Sequence, residues 1–242
     1  MFNFFKKKSE SLQLCFNTDI HCHILPGIDD GAPDVATSIE LIKRMNSWGI
    51  SRIIATPHVT QASFENTPQT MSNALNEVKK ELKTQNIDIE ITHSAEYRID
   101  ELFLNHLNDG LIVPMPNNYI LVENSFIQEP WNLDQLLFEL KVKGYKPILA
   151  HPERYAYYYG KKNRYKDIHN AGTKLQINLL SLAGSYGKEE KLIAMELIDK
   201  GLVDFIGTDL HNHRHADTIE AFLASKDYRK IKNKLSLLNN SI

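Results

Sequence analysis

Leu136-Leu137-Phe138-Glu139-Leu140, followed by Gly144 and then by Pro147-Ile148-Leu149-Ala150-His151, is the stretch that decides the fold. The clustered leucines predict a helix packed through one apolar stripe, and the glycine suits the left-handed residue that closes such a helix. The apolar run after it fits a strand covered on both faces. That run ends in a titratable side chain. The same unit occurs twice more: Ser38-Ile39-Glu40-Leu41-Ile42 leads to Gly49 and Ile53-Ile54-Ala55-Thr56-Pro57-His58, and Lys191-Leu192-Ile193-Ala194-Met195 leads to Gly201 and Val203-Asp204-Phe205-Ile206-Gly207-Thr208-Asp209.

This alternation predicts an α/β fold with parallel strands whose C-terminal ends share one rim, where enzymes of this class carry their chemistry. Further strands are expected at Phe16 to Ile24, Ile87 to Tyr97, Tyr119 to Glu123 and Lys174 to Leu179, which with the three above makes seven. Several of them also finish on polar residues, namely His21 and His23, Glu96, and Glu123. A ring of such side chains around one face is the expectation. Strand order and closure are not legible at this level.

The bulk numbers agree with one domain. A chain of 242 residues suits a single α/β barrel, which runs to ~250 residues. Hydrophobic residues at 42% and charged residues at 24% exclude a disordered chain. No apolar run approaches the ~20 residues of a bilayer span, so a soluble, cytoplasmic protein is expected. In Met1-Phe2-Asn3-Phe4-Phe5-Lys6-Lys7-Lys8 the charge follows the apolar residues, the reverse of a secretory signal. Residues 1–16 are expected to be a flexible tail and residues 17–242 a single domain. A net charge of -2 without a basic stripe argues against a nucleic-acid partner. Cys15 and Cys22 are too few for a disulfide framework and suit a reducing compartment.

His21 and His23 lie two apart on a predicted strand, so they share a face and can converge on one ion, while Cys22 points away as a small buried hydrophobe. Taken alone, such a pair is more often structural. Asp29 and Asp30 sit in a turn-rich segment, and Asp34 fits a helix N-cap. His58 stands where Pro57 must end a strand. Burial of Glu96 and Glu123 is costly unless a metal ion, or a salt bridge to Arg or Lys, compensates it. In His151-Pro152-Glu153-Arg154-Tyr155 and in Asp209-Leu210-His211-Asn212-His213-Arg214 an arginine follows a ligand-type residue. Metal ligands next to guanidinium groups suit a phosphate. His213 and His215 read as solvent-exposed, and Tyr155, Tyr157, Tyr158 and Tyr159 as either an aromatic wall or simple packing. His, Asp and Glu without thiols favour Zn, Mn or Fe(II) over a Cys-type structural zinc. Cysteine-phosphatase, G-x-S-x-G, Walker A and dinucleotide-binding patterns are all missing, so covalent catalysis is not indicated.

Together, Asp19-Ile20-His21-Cys22-His23, Asp29-Asp30-Gly31, Thr56-Pro57-His58, Ala95-Glu96-Tyr97, Glu123, His151-Pro152-Glu153-Arg154-Tyr155 and Asp209-Leu210-His211-Asn212 resemble, in this order, the polymerase and histidinol phosphatase (PHP) superfamily. Within it the chain is most similar to the bacterial manganese-dependent protein-tyrosine phosphatases of capsule and exopolysaccharide clusters. The resemblance implies a distorted (β/α)7 TIM-like barrel with three divalent ions, manganese first, with iron or zinc as alternatives. Carried over by position, it implies that His21, His23, Glu96 and Asp209 bind one ion, with Glu96 bridging to a second held by Glu123 and His151. Asp30, His58 and His211 would hold the third. Arg154 and Arg214 would contact phosphate, and Asp30 and His211 also count in the catalytic set. Spacing after His211 varies in the family, so Arg214 is the looser match, and Cys22 stands where Ser is familiar.

The implied reaction is hydrolysis of phosphotyrosine by a metal-bound hydroxide, on the tyrosine-rich tail of a membrane-associated capsule kinase. Two other readings compete: a small-molecule phosphomonoesterase of the histidinol phosphatase type, and a metal-binding scaffold without catalysis.

Overall fold

A computed structural model describes residues 12–242. Along the chain run β1 (Thr18–Asp19), α1 (Val35–Ser47), β2 (Arg52–Ala55), β3 (His58–Val59), α2 (Pro68–Thr84), β4 (Glu90–His93), β5 (Glu96–Arg98), α3 (Glu101–Asn108) and β6 (Tyr119–Glu123). They are followed by α4 (Leu133–Val142), β7 (Lys146–Ala150), α5 (Lys162–Asn170), β8 (Lys174–Asn178), α6 (Leu179–Ala183), α7 (Lys188–Asp199), β9 (Phe205–Gly207), α8 (His213–Leu223) and α9 (Lys226–Ile231).

The three repeated units form as their patterns dictate. In α1, Ile39, Leu41, Ile42 and Met45 are buried, and the Asp34 carboxylate caps the helix by accepting from Thr37 N at 2.7 Å. Helix α4 buries Leu133, Leu136, Leu137 and Leu140, and α7 buries Ala194, Leu197 and Ile198. Gly49, Gly144 and Gly201 follow these helices with φ of +92°, +88° and +66°.

All strand pairings are parallel, in a three-stranded sheet ordered β1-β2-β4 and a curled six-stranded sheet ordered β3-β5-β6-β7-β8-β9. Where seven strands were expected, the described residues hold nine, because two expected runs are interrupted. Thr56-Pro57 separates β2 from β3, since proline has no N–H for the ladder. Ser94-Ala95 separates β4 from β5, and the Ser94 hydroxyl donates to Val113 O at 2.7 Å. The expected strand from Phe16 to Ile24 shrinks to β1 and a bridge between Cys22 and Leu210. There the Asp19 carboxylate accepts from the backbone N–H groups of His21 and Thr208, both at 3.2 Å.

The larger apolar cluster lies between strands and helices. A second contains Ile20, Ile54, Met115, Leu121, Ile148, Ala150, Phe205 and Ile242. Leu121 shares its face of β6 with Glu123, and Phe205 shares its face of β9 with Gly207, so this cluster floors the polar site. Of the expected tail, residues 1–11 lie outside the described residues. In the remainder, Leu14 N donates to Trp48 O at 2.8 Å and Phe16 is buried.

Gly207 has no room for a side chain, because a Cβ there would lie 2.5 Å from His21 Cβ and 2.9 Å from Gln176 Nε2. Gly207→Ala is expected to destabilise the protein by roughly 1–3 kcal/mol in a denaturant titration, as overpacking of a closed core does.

Candidate metal centre

His21 and His23 sit where the chain passes between the two sheets, with Asp209 N donating to His21 O at 2.8 Å and His23 N to Leu210 O at 3.0 Å. Their side chains face one side, and Cys22 is buried in the apolar core on the other. The register of β3 on β5 pairs His58 with Glu96, and β5 on β6 pairs Arg98 with Glu123. His151 and Asp209 follow β7 and β9 with φ of +32° and +51°. Non-glycine residues seldom adopt that conformation, and here it ends each strand and turns its last side chain into the cavity.

All nine residues expected as ligands meet there. Glu96 is the hub: His151 Nε2 is 2.9 Å from its Oε1, while His58 Nδ1, His21 Nε2 and His23 Nε2 are 3.0, 3.3 and 3.4 Å from its Oε2. Asp209 Oδ1 lies 3.4 Å from both His21 Nε2 and His23 Nε2. Asp30 Oδ1 is 3.5 Å from the Nε2 atoms of His58 and His211, and His151 Nε2 is 3.6 Å from Glu123 Oε1. Three groups have donor atoms mutually close enough for a shared cation: His21, His23 and Glu96; His58, Glu96 and Glu123; and His23, Asp30, His58 and His211.

Three of the outer nitrogens are tied down. Nδ1 of His21 meets Gln176 Oε1 at 2.8 Å, Nδ1 of His23 meets Asp29 Oδ2 at 2.8 Å, and Nδ1 of His211 meets Asp209 O at 2.9 Å. Acceptors at Nδ1 fix the tautomer whose Nε2 lone pair faces inward, the arrangement typical of metal-binding histidines. Consistent with this, His21 Nε2, His23 Nε2 and Glu96 Oε2 are buried without an aligned hydrogen bond, although they lie close together. Polar atoms left so in a core are costly unless something binds them.

Electrostatics follow from burial. Burial alone would push the His21 imidazole down, but Glu96 and Asp209 reverse this and lift its pKa to about 9. Burial would raise Glu96, yet the imidazoles of His21 and His58 hold it well below the carboxylate range. Glu123 is pushed up to about 7 by burial and by the nearby charge of Glu96. Burial and Arg154 press His151 down to about 4, which keeps its ring neutral. The cavity, about 490 Å³, is lined by four carboxylates, Asp30, Glu96, Glu123 and Asp209, and by the arginines Arg98 and Arg154. An anionic substrate would be repelled there unless cations offset the acids.

Arg154 lies where expected, 3.3 Å from Asp209 Oδ2 and 4.0 Å above the Tyr186 ring. Arg214 does not line this cavity; it lines the neighbouring hollow, which shares Tyr186, Asn212 and His215 with the first. His213 is on the surface near Glu40, but His215 is half-buried and lines the cavity. Sequence reasoning missed Arg98, which pairs with Glu123 at 3.0 Å, and Phe126, Tyr186 and Gln176, and it read Asp29 as turn chemistry and not as a partner of His23. The salt-bridge alternative for Glu123 is therefore also realised. Of the loop tyrosines, Tyr155 and Tyr158 are packing: both are buried, and their hydroxyls accept from Asn124.

Residues 17–239 match the family described as capsular polysaccharide synthesis, CpsB/CapC. The chain belongs to the CpsB/CapC family. It is 36% identical over 195 residues to the tyrosine-protein phosphatase YwqE of Bacillus subtilis, covering 80% of this chain and 77% of that one. The tyrosine-protein phosphatase CpsB of Streptococcus agalactiae is 28% identical, with 92% and 98% covered. A crystal structure reported with YwqE from Bacillus subtilis and CpsB from Streptococcus pneumoniae, described as metal-dependent tyrosine phosphatases, superposes with a TM-score of 0.76 at 33% identity, over 92% of this chain and 94% of that one. Histidinol phosphate phosphatase from Lactococcus lactis, at 15% identity and a TM-score of 0.51 over 87% and 93% of the chains, shares the fold alone.

Because the His21 pKa rises from 6.5 to about 9, its protonated form steadies the ion-free fold fully below pH 6.5, and that contribution is lost as pH rises through about 9. Cation loading must displace this proton. Affinity for a divalent ion is expected to rise with pH up to about 9, with proton release near pH 7.5 measurable by calorimetry in buffers of different ionisation heat.

Proposed function

We propose that this CpsB/CapC member is a metal-dependent protein-tyrosine phosphatase. One observation carries the reading: the inward, unpartnered Nε2 atoms of His21 and His23 meet Glu96 Oε2 in a cavity that also presents Arg154. The donor set fits divalent cations, since imidazole and carboxylate atoms converge there with the Nδ1 atoms of His21, His23 and His211 already bonded. His21, His23, Glu96 and Asp209 would hold a first ion, Glu96, Glu123 and His151 a second, and Asp30, His58 and His211 a third, with manganese first and iron or zinc as alternatives. Bound ions would supply positive charge and a more acidic water.

The chain's own groups do the rest. Arg154 is stacked on Tyr186 and tied to Asp209, so its guanidinium is held ready to grip phosphoryl oxygens. Arg214 reaches phosphate in this reading only from the neighbouring hollow. Asp30 and His211 complete the catalytic edge, at 3.5 Å from each other. A tyrosyl leaving group, with a pKa of about 10, needs less help from an acid than an alkyl alcohol, and no side chain is assigned that role.

The two sheets are read as one distorted (β/α)7 barrel in which β2 with β3, and β4 with β5, are interrupted single strands. Thr56 N to Cys22 O at 2.9 Å and Asp209 N to His21 O at 2.8 Å support that closure. The packed residues act as a single domain. Among the described residues no helix is long and apolar enough to cross a membrane. The names of the family and of the relatives support a tyrosine phosphatase of capsule synthesis; in this reading it is a cytoplasmic enzyme of capsule or exopolysaccharide synthesis that acts on the phosphotyrosine-bearing tail of a membrane-associated tyrosine kinase.

The test compares phosphotyrosyl peptides with histidinol phosphate, before and after chelation. Higher kcat/KM on the peptides, lost with chelator and restored by Mn, is expected; preference for histidinol phosphate would overturn the reading. His21→Ala and Glu96→Ala should lose metal and activity together. Arg154→Ala should retain metal while kcat/KM falls by about 10²–10³.

A further inference from the structure

The loop from β6 to α4 carries three large apolar side chains, the first of which reaches into the cavity. Phe126 lines the cavity, Ile127 is 89% exposed and Trp131 is 92% exposed. Bonds on either side fix this loop. Tyr157 OH donates to Ser125 O at 3.0 Å, and Arg164 grips the Glu129 carboxylate at 2.8 and 3.0 Å while reaching Asp134 at 2.8 Å. Ile127 is thus held in water by a braced segment, where an apolar side chain gains nothing for the fold.

The cavity behind the loop also has two aromatic walls. Phe64 stacks on His58 at 5.6 Å and Phe126 stacks on His151 at 5.6 Å, and these two imidazoles approach different oxygens of Glu96. A phosphoryl group drawn to the ligand cluster would therefore leave its aryl ring between Phe64 and Phe126. The chain carrying that ring would leave the cavity beside Ile127.

We infer that Ile127 and Trp131 form a docking rim for apolar residues flanking the phosphotyrosine, so that the enzyme selects phosphotyrosyl peptides with hydrophobic neighbours. The inference rests on the phosphatase reading and deepens it. Continuity with the cavity through Phe126 assigns the rim to the substrate. Neither Ile127 nor Trp131 lines the cavity itself, so they act on peptide binding and their loss should appear in KM and not in kcat.

The experiment measures kcat and KM for wild type and for the double variant Ile127→Ser, Trp131→Ala on three substrates: free phosphotyrosine, a phosphotyrosyl peptide flanked by Leu and Phe, and the same peptide flanked by Ser and Gly. Both positions are solvent-exposed, so the fold tolerates the changes. Wild type is expected to favour the Leu/Phe peptide, and the variant to raise KM for that peptide alone by about tenfold, in line with losing an exposed aromatic anchor. Equal KM values for the two peptides in wild type, or an unchanged KM in the variant, would overturn the docking rim while leaving the phosphatase reading intact. Failure of wild type on all three substrates would sink that reading and the rim with it. If the variant keeps the peptide KM but loses binding to phosphatidylglycerol vesicles, the loop is a membrane contact and the inference is overturned.

Discussion

Glu96 is the constraint around which the site is arranged. Its carboxylate is buried, yet it is held ionised because His21, His23, His58 and His151 all approach it, from three different segments of the chain. Burying such a charge is tolerable only when every approaching group is fixed. Fixing them requires β3 to lie on β5, the first histidine pair to pass between the sheets, and Gln176 and Asp29 to hold the outer imidazole nitrogens. The architecture and the electrostatics are therefore one problem with one solution.

The same demand explains why regular strands stop where they do. An ideal ladder would continue past Ala55, His93 and Asp19, directing successive side chains alternately to core and cavity. The interruptions at Thr56-Pro57, Ser94-Ala95 and Ile20 shift that alternation, so that Ile20 joins the floor cluster while Cys22, two residues later, faces the opposite apolar core. Local irregularity is what allows several short strands to aim polar ends at one point.

Much of this was legible in the residues. The helix, glycine, strand rhythm exposes the parallel fold because Leu136, Leu137 and Leu140 must face a core and Gly144 must adopt a positive φ. All nine ligand candidates converge because each ends an apolar run or follows a turn next to one. What escaped notice lacks such a local signature. Arg98 looks like a surface residue until β5 pairs with β6 and brings Glu123 alongside; Asp29 and Gln176 act only through imidazoles distant in sequence; and Phe126 acquires meaning from His151 and Arg154 beneath it. Arg214 is the converse case, a looser match in spacing whose side chain the start of α8 carries into the next hollow.

The left-handed backbone at His151 and Asp209 sets evolution a conflict. Glycine would relax either position, since it alone takes that conformation freely, and a lineage selected only for durability would drift toward it. On the metal-site reading, an imidazole and a carboxylate kept there set chemistry above robustness at these strand ends. Among homologous chains, glycine at either position would then signal a fold kept after its catalytic purpose had gone.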